Sequence, residues 1–147
     1  MITKVKHSKG ETKILWNESR REQEELIEHE MTCTEMPRPE LLDAIKAFIP
    51  YVLEICELPK DYAERMSVSA IHLNQCVQDD IDVVGLVVTA QKSLARTQAP
   101  MIINTPFLAD PGWPHYMPKV VERLEAEALK FRNGNRAQQV LPMKRGA

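Results

Sequence analysis

Apolar and polar residues alternate along three stretches near the start of the chain. Residues 27–33 run Ile-Glu-His-Glu-Met-Thr-Cys, so every second residue is an acid or a threonine. A period of two is typical of a strand with one buried face and one exposed face. Residues 2–7 and 12–17 are predicted as two further strands, joined by a turn over residues 8–10. Short connections between the three strands favour an antiparallel meander.

The pattern changes to steps of three and four residues over residues 39–58, which predicts a helix with one apolar face. Pro39 suits the first helical turn, where its missing N–H costs nothing. Pro50 falls inside the helix, but the apolar rhythm continues past it without a shift of phase. Because Pro50 lies on the polar side, we predict one bent helix that curves around a core, rather than two helices.

Three more strands are predicted later in the chain, over residues 66–77, 82–90 and 101–104. The second of them is apolar on both sides, which is typical of a central strand that is covered on both faces. A last amphipathic helix is predicted over residues 118–132, and Gly134 suits the position just after its end.

The predicted order βββαβββα indicates an α+β fold, with two amphipathic helices packed on an antiparallel or mixed sheet of about five to six strands. A chain of 147 residues suits one domain with one core. We therefore predict a single α+β domain over residues 1–136, followed by a flexible C-terminal tail over residues 137–147.

Composition and charge narrow the classes of function. The chain is 44% hydrophobic and 27% charged, as in an ordinary globular protein. Its net charge of -2 argues against a dedicated nucleic-acid binder, although a local basic patch stays open. No apolar run approaches the ~20 residues that cross a bilayer, and the first residues lack the apolar core of a signal peptide. We expect a cytoplasmic protein with no membrane partner.

Two sets of residues carry side chains that bind metals, but neither has the spacing of a metal motif. They are His29, Cys33 and His72, and the aspartates Asp79, Asp80 and Asp82. The sequence also contains no CxxC pair, P-loop, GxSxG or HExxH motif. The absence of these motifs does not exclude a catalytic triad that only the folded chain brings together, because the members of a triad need not be close in sequence. We expect no enzyme, no cofactor, no metal site and no catalytic residue.

A proline-rich loop over residues 106–118 holds the best candidates for protein contact. They are Phe107, Trp113, His115 and Tyr116. Large aromatic side chains on a stiff loop lose little entropy on binding, which makes them good anchors for a partner. The alternative interpretation of the same residues is a plug at the end of the sheet, since large apolar side chains normally go inside.

Basic residues form a second candidate surface, at the first hairpin and near the end of the last helix. They are Lys4, Lys6, Lys9, Lys13, Arg132 and Arg136. Together they would contact the phosphates of a nucleic acid. The acidic run over residues 22–30 would oppose such binding if it lies alongside, and the alternative interpretation is a solvated helix end and tail.

Four segments carry a resemblance to a known group of proteins: PRPELLDAIKAFIPYVLEICELP, VVGLVVTAQKSL, APMIINTP and LEAEALKFRNGNRAQ. They resemble a family of small uncharacterised proteins encoded by phages and prophages, over residues 37–139. The resemblance implies a phage or prophage accessory role in the cytoplasm of a host cell. It implies no catalytic residue, since that family has none assigned.

Two functions follow as hypotheses. The first is a non-enzymatic phage accessory protein that binds a host or phage macromolecule, most simply a protein. The alternative is a nucleic-acid-binding factor in phage recombination or replication, which uses the basic hairpin and tail. A homodimer formed through an open edge of the sheet is compatible with both.

Overall fold

The computed structural model describes residues 1–20 and 25–137, and for Ser19, Arg20, Glu25 and Gln78 it describes the backbone alone. The strands are β1 (Ile2–Ser8), β2 (Glu11–Arg20), β3 (Glu25–Cys33), β4 (Met66–Gln78), β5 (Ile81–Ser93), β6 (Pro100–Asn104) and β7 (Leu108–Ala109). The helices are α1 (Pro39–Lys46), α2 (Ile49–Ile55) and α3 (Met117–Arg132), with 3-10 helices at Lys60–Arg65 and Asp110–Gly112. Apart from Ala137, the predicted tail over residues 137–147 lies outside the described residues.

All described strands belong to one antiparallel sheet, which confirms the α+β class. The strand order is β3-β2-β1-β4-β5-β6, and the short β7 pairs with β5 beside β6. The first strand of the chain therefore lies in the middle of the sheet. It joins the hairpin β2–β3 to the long hairpin β4–β5, so its pairing holds the two halves of the sheet together.

Two of the connections are tight turns in which both central residues have positive φ. Lys9 and Gly10 have φ of 53° and 77°, and Asp79 and Asp80 have φ of 52° and 62°. Two consecutive left-handed residues form a type I′ turn, whose twist matches that of the flanking strands. Aspartate and glycine tolerate this conformation well, which is why these turns could be predicted from the sequence.

One face of the sheet carries a continuous apolar row. Ile14, Val5, Ile71 and Val88 are paired directly across β2, β1, β4 and β5, and each is at most 1% exposed. The helices supply the facing layer, chiefly with Leu41, Phe48 and Leu124. We name the face of the sheet that the helices cover the helix face. Full burial of one such side chain contributes roughly 1.5–3 kcal/mol to folding, so the burial of this face supplies most of the free energy that drives folding.

The prediction of one bent helix over residues 39–58 was wrong. Helix α1 ends at Lys46, and α2 begins at Ile49 with Pro50 in its first turn. Between them the Phe48 N–H donates to the Ile45 carbonyl at 3.2 Å, as in a 3-10 turn. Pro50 has no N–H for the carbonyl of Lys46, and its fixed φ suits the start of a helix. A second helix therefore begins next to the proline, and no single bent helix continues through it.

The ends of α2 and α3 share one capping arrangement with different residues in it. The Leu58 N–H donates to the Leu53 carbonyl, and the Asn135 N–H donates to the Lys130 carbonyl, both at 2.9 Å. This six-residue loop requires a left-handed residue before the donor. Gly134 fills that position after α3 with φ of 102°, as the sequence predicts, whereas Glu57 fills it after α2 with φ of 55°.

Replacing Glu57 with glycine is expected to raise the free energy of unfolding by roughly 0.5–1 kcal/mol. The left-handed conformation costs an ordinary residue about 1–2 kcal/mol, and the greater chain entropy of glycine offsets part of that gain. Urea denaturation measures the change, with Gly134→Ala as the matched control that should lower stability by a similar amount. A Glu57→Gly variant that is less stable than the wild type would contradict the left-handed conformation of Glu57.

Candidate binding surface

The second face of the sheet has no helical cover, and we name it the open face. Side chains at alternate positions of the strands point to it, and the central row across β2, β1, β4 and β5 consists of Leu15, Lys4, His72 and Val87. All four are half-buried, in contrast to the fully buried row on the helix face. An open face with this much sheltered apolar surface is a candidate contact surface.

Phe107 extends the apolar part of the open face. Its ring lies against Gly85 of β5, where a Cβ atom would fall 1.9 Å from the Phe107 Cζ. Gly85 is paired with Asn74 of β4, two residues beyond His72, so its Cα faces the open side. The ring is 42% exposed and so remains available for contact. Glycine is needed here for close packing, and the β4–β5 register is regular at this point.

The other three loop candidates do not join Phe107. The Trp113 indole N–H donates to the Leu108 carbonyl at 2.8 Å, and the Tyr116 hydroxyl donates to Glu54 Oε2 at 2.6 Å. Both rings also pack against the core, as the plug interpretation expects. His115 is exposed and meets the Tyr116 ring edge-on at 5.7 Å. Burial, and then the bond to Glu54, raise the pKa of the Tyr116 hydroxyl above its ordinary value.

The predicted basic set divides between the two faces. Lys4, Lys6 and Lys13 lie on the open face in adjacent positions of β1 and β2, and Lys9 occupies the turn that joins these strands. Part of this charge is compensated, because Lys13 Nζ lies 3.0 Å from a carboxylate oxygen of Glu30. The lysines thus form a local basic patch beside an acidic strand.

The two arginines of that set lie away from the lysines and are engaged with the helix side. The Arg132 guanidinium is 4.8 Å from the centre of the Trp16 ring, and Trp16 belongs to the helix face. The Arg136 guanidinium lies over the Phe131 ring and within 3.5 Å of Glu35. We conclude that the six cations do not form one surface.

The candidate metal ligands do not converge either. His29 and Cys33 point to the helix face of β3, whereas His72 points to the open face of β4. The His29 ring stacks on Trp16 at 5.2 Å. Within residues 1–20 and 25–137, no three histidine, cysteine or acidic side chains are grouped to bind a metal ion. Burial, with a smaller effect from Lys4, lowers the pKa of His72 below its ordinary value.

Comparisons with models of known protein families, with curated proteins and with solved structures found no match. The phage or prophage origin and the cytoplasmic location therefore stay predictions. Within the described part of the chain, no helix has both the length and the apolar character needed to cross a bilayer.

On the open face the sequence identified Phe107, Lys4, Lys6 and Lys13 as candidates, but it did not identify the apolar residues Leu15 and Val87. Leu15 and Val87 occupy positions that alternate with buried residues, and an apolar residue at such a position is a weak signal. The signal becomes clear only when the strand order places the two residues in one row.

Replacing Gly85 with alanine is expected to lower the free energy of unfolding by about 1–3 kcal/mol, because the new methyl group must displace the Phe107 ring. In a Phe107→Ala background the same change should be neutral or stabilising, since alanine costs less chain entropy than glycine. A double-mutant cycle measured by urea denaturation tests the pair. An equal cost in both backgrounds would show that the ring does not cover Gly85.

Proposed function

We propose that this protein is a non-enzymatic accessory protein of a phage or prophage, and that it binds a host or phage protein through the open face. The observation that supports the proposal most is the one-sided cover of the sheet. The helices bury one row of side chains completely, and the corresponding row on the other face is only half-buried.

The composition of the open face resembles that of a protein interface. Val87 and Phe107 supply an apolar part on the β5 side, and charged side chains such as Lys13 and Glu30 lie towards the other edge of the sheet. Interfaces of stable complexes have this arrangement, with apolar residues at the core and polar residues at the rim. Charged residues at the rim also exclude partners of the wrong charge.

The size of the face is also sufficient. Six strands at a spacing of about 4.8 Å span about 24 Å, and ten residues of strand extend about 33 Å. The face therefore offers up to about 800 Å², which is the area that each partner contributes to a standard interface.

Replacing Val87 with lysine should abolish partner binding, because a charge would be placed in the apolar part of the open face, on the strand that carries Gly85 and the Phe107 ring. The measurement is affinity capture from lysogenic or infected cells, in which a specific protein is retained by the wild type and lost by Val87→Lys. The matched control is Ala126→Lys, which adds the same charge at an exposed position of α3. Far-ultraviolet circular dichroism confirms that both variants fold. Equal retention by Val87→Lys and the wild type would contradict the proposal.

The alternative function, nucleic-acid binding, is favoured by the three lysines that share the open face. Neutralised phosphates release counterions, so binding should weaken steeply between about 50 and 200 mM salt. In fluorescence anisotropy with labelled DNA, a Lys4→Ala/Lys6→Ala variant should reduce the slope of log K against log salt by roughly 0.7–0.9 for each lost contact. Lys119→Ala on α3 is the control. No binding at low salt would exclude this alternative.

A further inference from the structure

Strand β6 lies at one edge of the sheet, and it carries no charge. It is the last strand after β5, and within residues 1–20 and 25–137 no strand pairs with its outer edge. Residues 97–109, which include β6 and β7, contain no charged side chain. Soluble proteins commonly protect such edges from pairing with charged side chains, above all lysine. Strand β6 lacks that protection.

The hydrogen bonds between β6 and β5 determine which backbone groups of β6 point outwards. At one end the Thr105 N–H donates to the Val88 carbonyl at 2.9 Å, and at the other end the Leu94 N–H donates to the Ala99 carbonyl at 3.0 Å. The register is regular between these two pairs. In an antiparallel ladder every second residue bonds to the neighbouring strand, and both ends give the same phase.

Met101 and Ile103 therefore bond to β5, and the residues that alternate with them face outwards. Ile102 and Asn104 each direct an N–H and a carbonyl away from β5. Pro100 directs only a carbonyl, because proline has no N–H. None of these outward groups has a backbone partner among the described residues. The edge thus offers both donors and acceptors to an added strand.

This edge is complementary to a second copy of itself. If two copies meet antiparallel with Ile102 opposite Ile102, the N–H of each Ile102 donates to the carbonyl of the other. Asn104 then lies opposite Pro100, and the Pro100 carbonyl accepts from the Asn104 N–H. Only the Asn104 carbonyl is left without a partner, and at the end of the strand it bonds to water.

The same register brings apolar side chains together on both faces. Ile102 is 62% exposed in the single chain and would meet its own copy on the open face. On the helix face, Met101 is 36% exposed and would meet Ile103 of the second copy. A pairing centred on Ile103 would instead place Ile102 opposite the polar Asn104. The register centred on Ile102 therefore buries more apolar surface.

The opposite edge of the sheet, formed by β3, does not suit the same pairing. Glu28 and Glu30 lie on the open face of β3, two residues apart. In an antiparallel pair of β3 strands centred on His29, Glu28 of one copy would lie opposite Glu30 of the other. Like charges in directly opposite positions are destabilising. Charge thus distinguishes the two edges and favours β6.

We propose that the protein forms a homodimer through β6, in which two copies of this strand pair antiparallel about Ile102 and the two sheets become one. Strand β6 has five residues, so at about 3.4 Å per residue the shared edge is about 17 Å long. This is short for an interface, and Pro100 contributes no N–H. We therefore expect a dissociation constant on the order of 1–100 µM, as in weak complexes.

The pairing has a consequence for the open face. The two-fold axis of such a pair is perpendicular to the sheet, so both open faces lie on the same side. The apolar parts with Val87 and Phe107 would then be neighbours across the new pair of strands, and the lysines of β1 and β2 would lie further out. Dimerisation does not depend on the proposed function, although it would double the surface assigned to it.

Sedimentation equilibrium should show an equilibrium between one and two chains in the wild type. Ile102→Lys should weaken the dimer roughly tenfold or more, because two charges would meet at the two-fold axis. The matched control is Ile81→Lys, which changes the same residue type at a similar exposure of 64%, at the far end of β5. Circular dichroism checks that both variants fold. A wild type that stays monomeric at millimolar concentration, or an Ile102→Lys variant that dimerises as the wild type does, would overturn the proposal.

Cysteine variants test the register under mild oxidation. In the proposed dimer the two Ile102 Cα atoms are about 5.5 Å apart, which is within the range of a disulfide. Ile102→Cys should therefore give covalent dimers. Asn104→Cys on the same edge should not, because each Asn104 lies opposite Pro100. The wild type under the same oxidant measures any linkage through Cys33, Cys56 or Cys76. Equal linkage of the two variants would overturn the pairing about Ile102.

Discussion

The structure depends on the burial of one face of the sheet under the helices. In a strand, a shift of one residue moves every side chain to the opposite face. Val5 and Ile71 could not slip past each other without bringing Lys4 and His72 into the core. The three pairs that join β1 to β4 are few, but this constraint fixes their register and so connects the two halves of the sheet.

The helical layer is held at its far end by charges as well as by apolar contacts. Glu127 of α3 is only 9% exposed and lies 3.9 Å from Arg38 and 3.4 Å from Lys130. A buried carboxylate is tolerated only when cations or donors compensate it. The Ala137 N–H also donates to the Met36 carbonyl at 2.9 Å, so the chain after α3 returns to the start of α1. These contacts hold the end of α3 against the start of α1.

The sequence predicts most of the elements because their patterns are local. Alternation predicts β3, residues 8–10 predict the turn between β1 and β2, and Gly134 predicts the end of α3. The break before Pro50 was missed, because the apolar rhythm continues through it and a single helix and two short helices bury the same stripe. Periodicity reports which side chains are buried, and it does not report whether the backbone hydrogen bonds are continuous.

The surfaces could not be predicted in the same way, because each of them depends on strand order and register. No local pattern states that β1 lies between β2 and β4, or that it starts several residues inside its neighbours. The same applies to the contact of Phe107 with Gly85, whose partners are 22 positions apart in the chain. A glycine within a strand is compatible with close packing or with a bulge, and the sequence does not identify the group that packs against Gly85.

The strand order also divides the open face into two chemically different halves. On β1 and β2 the outward positions carry Lys4, Lys6 and Lys13, whereas on β5 they carry valines and the glycine beneath Phe107. Strand β5 is therefore apolar on both sides, as predicted. On the open face, however, it is covered by the Phe107 ring alone and not by a layer of helices. In the proposed function, the basic half would orient the partner through long-range charge, and the apolar half would supply the area that is buried on binding. His72 lies at the boundary between the two halves, paired with Lys4 of β1 and with Val87 of β5, so the change from basic to apolar side chains takes place between neighbouring strands.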